Sequence, residues 1–118
     1  MKDDAKVLLS DLIAQLNTTP EQVQFTQVMT VIDSLYQYQP TEFSNGAVIN
    51  KAGENEGSCK IFYFAKLNNL SEQQTLHCFG DYYRLDVLEN PQGNDHGNIR
   101  NFINTGWSGI AFADVALG

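Results

Sequence analysis

Up to Pro40 the chain carries two apolar stripes with helical spacing. Ala5, Leu8, Leu9, Leu12, Ile13 and Leu16 recur at three- and four-residue steps, and Asn17, Thr18 and Thr19 end the pattern. Thr19-Pro20-Glu21-Gln22 then reads as a capping box with Pro in the first turn. It opens a second stripe, Phe25, Val28, Met29, Ile32, Leu35 and Tyr36, which Pro40 stops. The short connection predicts an antiparallel helix pair.

Beyond Pro40 the period changes. Phe43-Ser44-Asn45-Gly46-Ala47-Val48-Ile49 places an Asn-Gly turn between short apolar pieces, a hairpin signal too brief for a sheet of any size. Ser58 is placed to cap a helix through Leu67, although Ile61 to Phe64 would also suit a buried strand, and periodicity alone does not separate the two. Ser71-Glu72-Gln73-Gln74 is a second capping box. Leu76, Phe79, Tyr83 and Val87 follow on one side of a helix that Asn90-Pro91 closes. Gly80 inside that helix costs roughly 1 kcal/mol relative to Ala, so a close neighbour is predicted there. Asp95 is placed to cap a last helix that turns Ile99, Phe102 and Ile103 inward. Gly106 fits a left-handed C-terminal position, with Trp107 folding back on Phe102. Gly109-Ile110-Ala111-Phe112 reads as extended, covering an exposed edge of the bundle. The expected fold is mainly α, a compact bundle of about five helices in one domain spanning 1–118. It has one long polar loop and at most a small β-hairpin.

Charge narrows the partners. Seven Lys and Arg against fourteen Asp and Glu give a net charge of −7, which opposes nucleic acid and anionic membrane surfaces. A cation, a basic peptide or a basic protein face is favoured instead. Met1 to Leu12 holds three aspartates and lacks the cationic start of a secretory signal, and no apolar run approaches the ~20 residues of a membrane span. The expected location is therefore the cytoplasm, where Cys59 and Cys78 stay reduced rather than bridged.

Chemistry concentrates in Gly53-Glu54-Asn55-Glu56-Gly57-Ser58-Cys59-Lys60, where two glycines let the backbone bend sharply around clustered polar groups. Further blocks are Cys78-Phe79-Gly80-Asp81-Tyr82-Tyr83-Arg84 and His96-Gly97-Asn98-Ile99-Arg100-Asn101-Phe102, followed by Gly106-Trp107-Ser108-Gly109-Ile110. Taken together in this order and spacing, they resemble the HopJ type III effector family over essentially the whole chain. The resemblance implies a bacterial protein and, through the family's name, type III secretion into a host; it carries no agreed activity, and the cofactor is unknown.

Glu54 and Glu56 are two apart and would point the same way in an extended loop, suited to a cationic ligand, a metal or general-base work. The structural alternative has them cap helix N-termini or pair with Arg84 and Arg100, the only two arginines. His96, in a first helical turn, would be held neutral and able to exchange protons, or would simply bond a loop carbonyl. A Cys59–His96 nucleophile pair is conceivable but carries no family signature, and the Cys59–Cys78 spacing matches no zinc pattern. Trp107, Tyr82 and Tyr63 are candidates to line a pocket. The leading reading is a small acidic binding module whose face is built from segments 54–58 and 95–101, using Glu54, Asn55, Glu56, Ser58, Arg84, His96, Asn98 and Arg100. The alternative is a small hydrolase- or lyase-like enzyme, with Glu54 or Glu56 and His96 moving protons and Arg100 holding an anionic group.

Overall fold

In the computed structural model the backbone is described for residues 2–118 and side chains from residue 6, so the Ala5 end of the first stripe lies outside the described side chains. The two stripes become α1 (Lys2–Thr18) and α2 (Phe25–Leu35). Leu12 and Leu16 face Val28, Val31 and Ile32 in the core, whereas Leu8 at the outer end is exposed.

Between them the expected capping box is replaced. Pro20–Gln22 makes a separate 3₁₀ turn, and the Thr19 side chain caps nothing. Val23, fully buried, is extended, and α2 starts only after Gln24, whose backbone N–H donates to Gln27 Oε1 at 3.3 Å. Arg84 fixes this break. Its guanidinium donates to the carbonyls of Pro20 (3.3 Å), Val23 and His77 (3.2 Å), and lies 3.2 Å from His77 Nδ1.

That arrangement suits a neutral imidazole. Burial, and then the Arg84 charge, hold the His77 pKa below its usual 6.5. The unfolded chain then takes up the proton first, so His77 supports the fold above about pH 6.5 and that support is lost as pH falls. Urea melts at neutral and mildly acidic pH should show a smaller acid-induced loss in His77→Gln than in the unaltered protein. Equal losses would assign the acid sensitivity elsewhere.

The stretch expected to be one helix from Ser71 to Asn90 is divided. Its cap is as read: Ser71 Oγ accepts from Gln74 N–H, and Gln74 Oε1 accepts from Ser71 N–H, both at 3.0 Å. The helix itself, α4, covers only Glu72–His77. Gly80 then takes φ +61°, and Tyr82–Val87 winds as a π-helix. The neighbour anticipated at Gly80 is the start of α2, since a Cβ there would stand 2.7 Å from the Phe25 backbone nitrogen. Close backbone approach breaks the helix where the apolar period shows no interruption.

Helix, not strand, holds Ile61 to Phe64: α3 runs Glu56–Leu67 and sinks Ile61, Phe62 and Phe64 completely. It starts two residues before Ser58, which therefore lies in its first turn instead of capping it. The last helix, α5, is Gly97–Thr105. His96, not Asp95, occupies its N-terminal flank. Gly106 has the expected positive φ of 60°, but its ψ of −154° lies outside the left-handed helical region. Trp107 packs edge-on against Phe102 with ring centroids 5.1 Å apart, as anticipated.

The β content exceeds a hairpin. β1 (Phe43–Asn45) pairs with β2 (Val48–Asn50) across a two-residue turn, Gly46-Ala47, one position beyond the expected Asn-Gly turn, because Asn45 itself pairs with Val48. β1 also pairs with β3 (Ile110–Phe112), giving an antiparallel sheet in the order β2-β1-β3. The segment expected to lie over a bundle edge is thus a strand. Phe43 stacks on Phe112 at 5.6 Å and meets Phe62 at 6.0 Å, joining the inner face of the sheet to α3. Cys59 and Cys78 are both free and buried, and burial pushes the Cys78 thiol up to about 12.

Candidate functional site

Segments 54–58 and 95–101 meet across a cleft of about 370 Å³. One wall is the first turn of α3, with Asn55, Gly57 and Ser58; the facing wall is the first turn of α5, with His96, Gly97, Asn98 and Ile99. Val48 and Asn50 of β2 close one side, and Phe25, Phe79 and Tyr82 the other.

Two local features build it. Asn55 and His96, the residues flanking the two helix starts, both adopt left-handed backbone at φ 51°. That conformation is uncommon for residues with a Cβ, although Asn and His adopt it more readily than most. Amides buttress the two helix starts. Asn98 Oδ1 accepts from Asn45 Nδ2 at 3.0 Å and from Asn50 Nδ2 at 3.1 Å, while Asn98 Nδ2 donates to Asn50 Oδ1 at 3.0 Å. Asn55 Nδ2 adds a bond to the same Asn50 oxygen at 2.7 Å. Asn45, Asn50 and Asn98 are all buried, so this cluster ties hairpin, α3 and α5 together beneath the cleft.

The aromatic side is set by the π-helix. Starting at Tyr82, it turns that ring edge-on to Phe25 at 5.1 Å and toward the His96 ring at 5.2 Å. π-Helical insertions accompany functional sites often enough to make the coincidence informative. His96 Nε2 lies 3.0 Å from Asp86 Oδ2, so a carboxylate and not the anticipated loop carbonyl orients the ring.

Asn55, Ser58, His96 and Asn98 therefore come together as read from the sequence, and Tyr82 does line the pocket. Glu54, Glu56, Arg84 and Arg100 do not line it. Glu54 Oε1 accepts from the Lys51 backbone N–H at 2.8 Å, closing a local turn. Glu56 lies on the α3 face toward Tyr38, where it helps raise the tyrosine pKa after burial itself. Among the described residues neither glutamate forms an ion pair with an arginine. Arg84 locks the 3₁₀ turn. Arg100 is held by Asp95 Oδ1 at 2.6 Å and by the carbonyls of Asp95 (2.6 Å) and Asn90 (2.9 Å), and that pairing holds the Asp95 carboxyl below its usual range. With Glu56 exposed and paired with neither arginine, Glu56→Ala is expected to cost under about 1 kcal/mol in urea unfolding. A loss of ~3 kcal/mol would reveal a buried ion pair.

Cys59 and His96 do not face each other across this site. Helical rotation brings Ser58 into the cleft and carries Cys59 into the core, where Sγ lies 3.7 Å from the Thr41 carbonyl and burial raises its pKa. The Glu/His/Arg arrangement needed by the enzyme reading is not assembled either. What the sequence did not disclose is the lining from Phe25, Phe79, Val48 and Asn50. The first two read as core stripe positions; for Asn50, its two-residue offset from Val48 on one strand face is the available signal.

A family model described as "HopJ type III effector protein" matches residues 9–117. A solved structure described as "Crystal structure of unknown function protein VPA0580" superposes with a TM-score of 0.92 at 49% identity, covering 93% of this chain and 92% of that one. A search of curated proteins found no match. No helix among the described residues is long and apolar enough to cross a membrane. With the family blocks lining the cleft and the match spanning nearly the whole chain, this protein belongs to the HopJ type III effector family.

Proposed function

We propose that the protein is a binding module whose ligand occupies the cleft between the starts of α3 and α5. One observation carries this reading. Two left-handed non-glycine residues, Asn55 and His96, stand at facing helix starts, and a buried amide cluster of Asn45, Asn50 and Asn98, which Asn55 joins, lies beneath them. The first turns of both helices leave N–H groups without intrahelical acceptors, those of Gly57, Ser58, Gly97 and Asn98 among them. Ser58, Asn55 and His96 add side-chain donors and acceptors, and Phe25, Phe79 and Tyr82 supply apolar surface.

The lining contains no carboxylate, so the preference for a cation read from net charge does not extend to the cleft interior. A polar, uncharged group with hydrogen-bond acceptors and an apolar flank fits it. Such a module would serve in the bacterial cytoplasm or, as the family name implies, in a host cell after type III secretion.

Titration of the ¹⁵N-labelled protein with a library of small polar aromatic fragments tests the reading. Binders should shift the backbone amides of Gly57, Ser58, Gly97 and Asn98 together, and Tyr82→Ala should weaken them. A library that leaves these amides unmoved, or moves them equally in Tyr82→Ala, would overturn it.

A further inference from the structure

The sheet has an open edge beside the cleft. Among the described residues β2 pairs only with β1, and Val48 and Asn50, on one face of the strand, form one wall of the cleft. The ladder register decides which backbone groups are free. Gly46 N–H donates to Gly109 O (2.9 Å) and Ala113 N–H to Glu42 O (3.0 Å), so the β1 groups turned toward β3 belong to even-numbered residues, Ser44 among them. Asn45 and Phe43 therefore bond β2 through Val48 and Asn50, and Ile49, opposite Ser44, turns its N–H and C=O away from β1 to the open edge. Ile49 is 65% exposed and Val48 40% exposed. The next outward-facing residue, Lys51, already bonds Glu54 through its N–H and its C=O. The free backbone pair on this edge, of the kind sheet proteins ordinarily cover or charge, is therefore that of Ile49.

Charge selects the occupant. Around the cleft, Glu54 stands exposed near β2, Asp86 flanks His96, and Asp81 on the far rim is 78% exposed. Arg84 is turned inward onto backbone carbonyls with Asp81 Oδ1 3.9 Å from its Nη2, and Arg100 is held by Asp95 and the Asn90 carbonyl, leaving Lys51 as the outward cation nearest β2. A second copy of this chain would bring another −7 to the same edge, which disfavours self-pairing. A groove lined by Gln24, Phe25, Thr26, Asp81 and Tyr82 shares Phe25 and Tyr82 with the cleft and continues it toward Asp81.

We propose that this edge and cleft together receive an extended, basic segment of a partner protein. The segment adds a fourth strand against Ile49, seats one uncharged side chain in the cleft beside Tyr82 and Phe25, and places Lys or Arg at the acidic rim. The proposal rests on the cleft being a binding site and names its partner class.

Selection from a displayed random-sequence peptide library, followed by affinity measurement on the enriched peptides, is the test. Enriched sequences should be rich in Lys and Arg, and their binding should weaken several-fold with added salt. Ile49→Pro removes the outward N–H together with the exposed side chain, a change edge strands tolerate, and should cost about tenfold in affinity beyond any loss in Ile49→Ala, which keeps the N–H. Asp81→Asn, on an exposed side chain, should weaken binding and reduce the salt dependence. Peptides that shift the cleft amides but are indifferent to Ile49→Pro would overturn the strand addition while leaving the cleft reading intact. Fragments binding with no peptide enriched would do the same. Concentration-dependent dimerisation abolished by Ile49→Pro would give the edge to a second copy and overturn the proposal.

Discussion

Asn98→Ala is expected to lower the stability of the fold by about 3 kcal/mol, with a fall in melting temperature of roughly ten degrees. Asn98 is the hub of the amide cluster: its Oδ1 accepts two bonds and its Nδ2 donates one, all among buried partners. Removing it leaves Asn50 Nδ2 without an acceptor, and each stranded buried group costs about 1–3 kcal/mol. Asn45 keeps its bond to the Asn98 backbone carbonyl at 2.8 Å, which limits the damage. The loss should be accompanied by amide shifts at Asn55 and His96, since their left-handed backbone would lose its main support. Urea unfolding with parallel NMR spectra checks both parts. A cost below 1 kcal/mol would mean that water replaces the side chain and that the cluster does not hold the cleft open.

Gly80→Ala is expected to be of similar size, about 3 kcal/mol, through a different mechanism. A Cβ at φ +61° carries roughly 1–2 kcal/mol of backbone strain. The added atom would also press within 2.7 Å of the Phe25 nitrogen, and that neighbour is backbone that cannot rotate aside. Gly97→Ala is the matched control, because nothing lies within 4 Å of its Cβ position and its φ is not positive. It should be neutral. Because Phe25 opens α2 and lines the cleft, Gly80→Ala should also weaken any cleft ligand, whereas a purely local effect would change stability and leave binding alone.

These two positions mark what the chain reveals and conceals. Gly80 announces itself, because glycine in an apolar helical period needs a reason, and the reason is a neighbouring backbone. The π-winding after it does not, since Tyr83 and Val87 keep four-residue spacing whichever way the segment winds. The helical stripes are legible because burial repeats along one face, and the hairpin because Gly46, at φ +62°, supplies the special backbone that its Gly46-Ala47 turn demands. The extended backbone of Ile110-Ala111-Phe112 is legible, but its pairing as β3 is concealed, since the segment is three residues long and its partner lies far back in the chain. At the site, Asn55, Ser58, His96 and Asn98 stand out as dense polar groups beside glycines. Glu54, Glu56, Arg84 and Arg100 stand out for the same reason, yet they satisfy local backbone or turn to another helix face. Composition marks where polar groups gather. It does not say which way they point.

The two pairings of β1 also impose an order in time. β2 follows it across a two-residue turn and can join it as soon as the hairpin has left the ribosome. β3 can join only after α5 has been synthesised, as can the bridge between Tyr38 and Leu117. Until then the growing chain presents an unpaired strand edge on each side of a short apolar hairpin, and Asn45 and Asn50 await Asn98. During synthesis the hairpin is thus an aggregation hazard that arrival of the C-terminal segment removes on one side only.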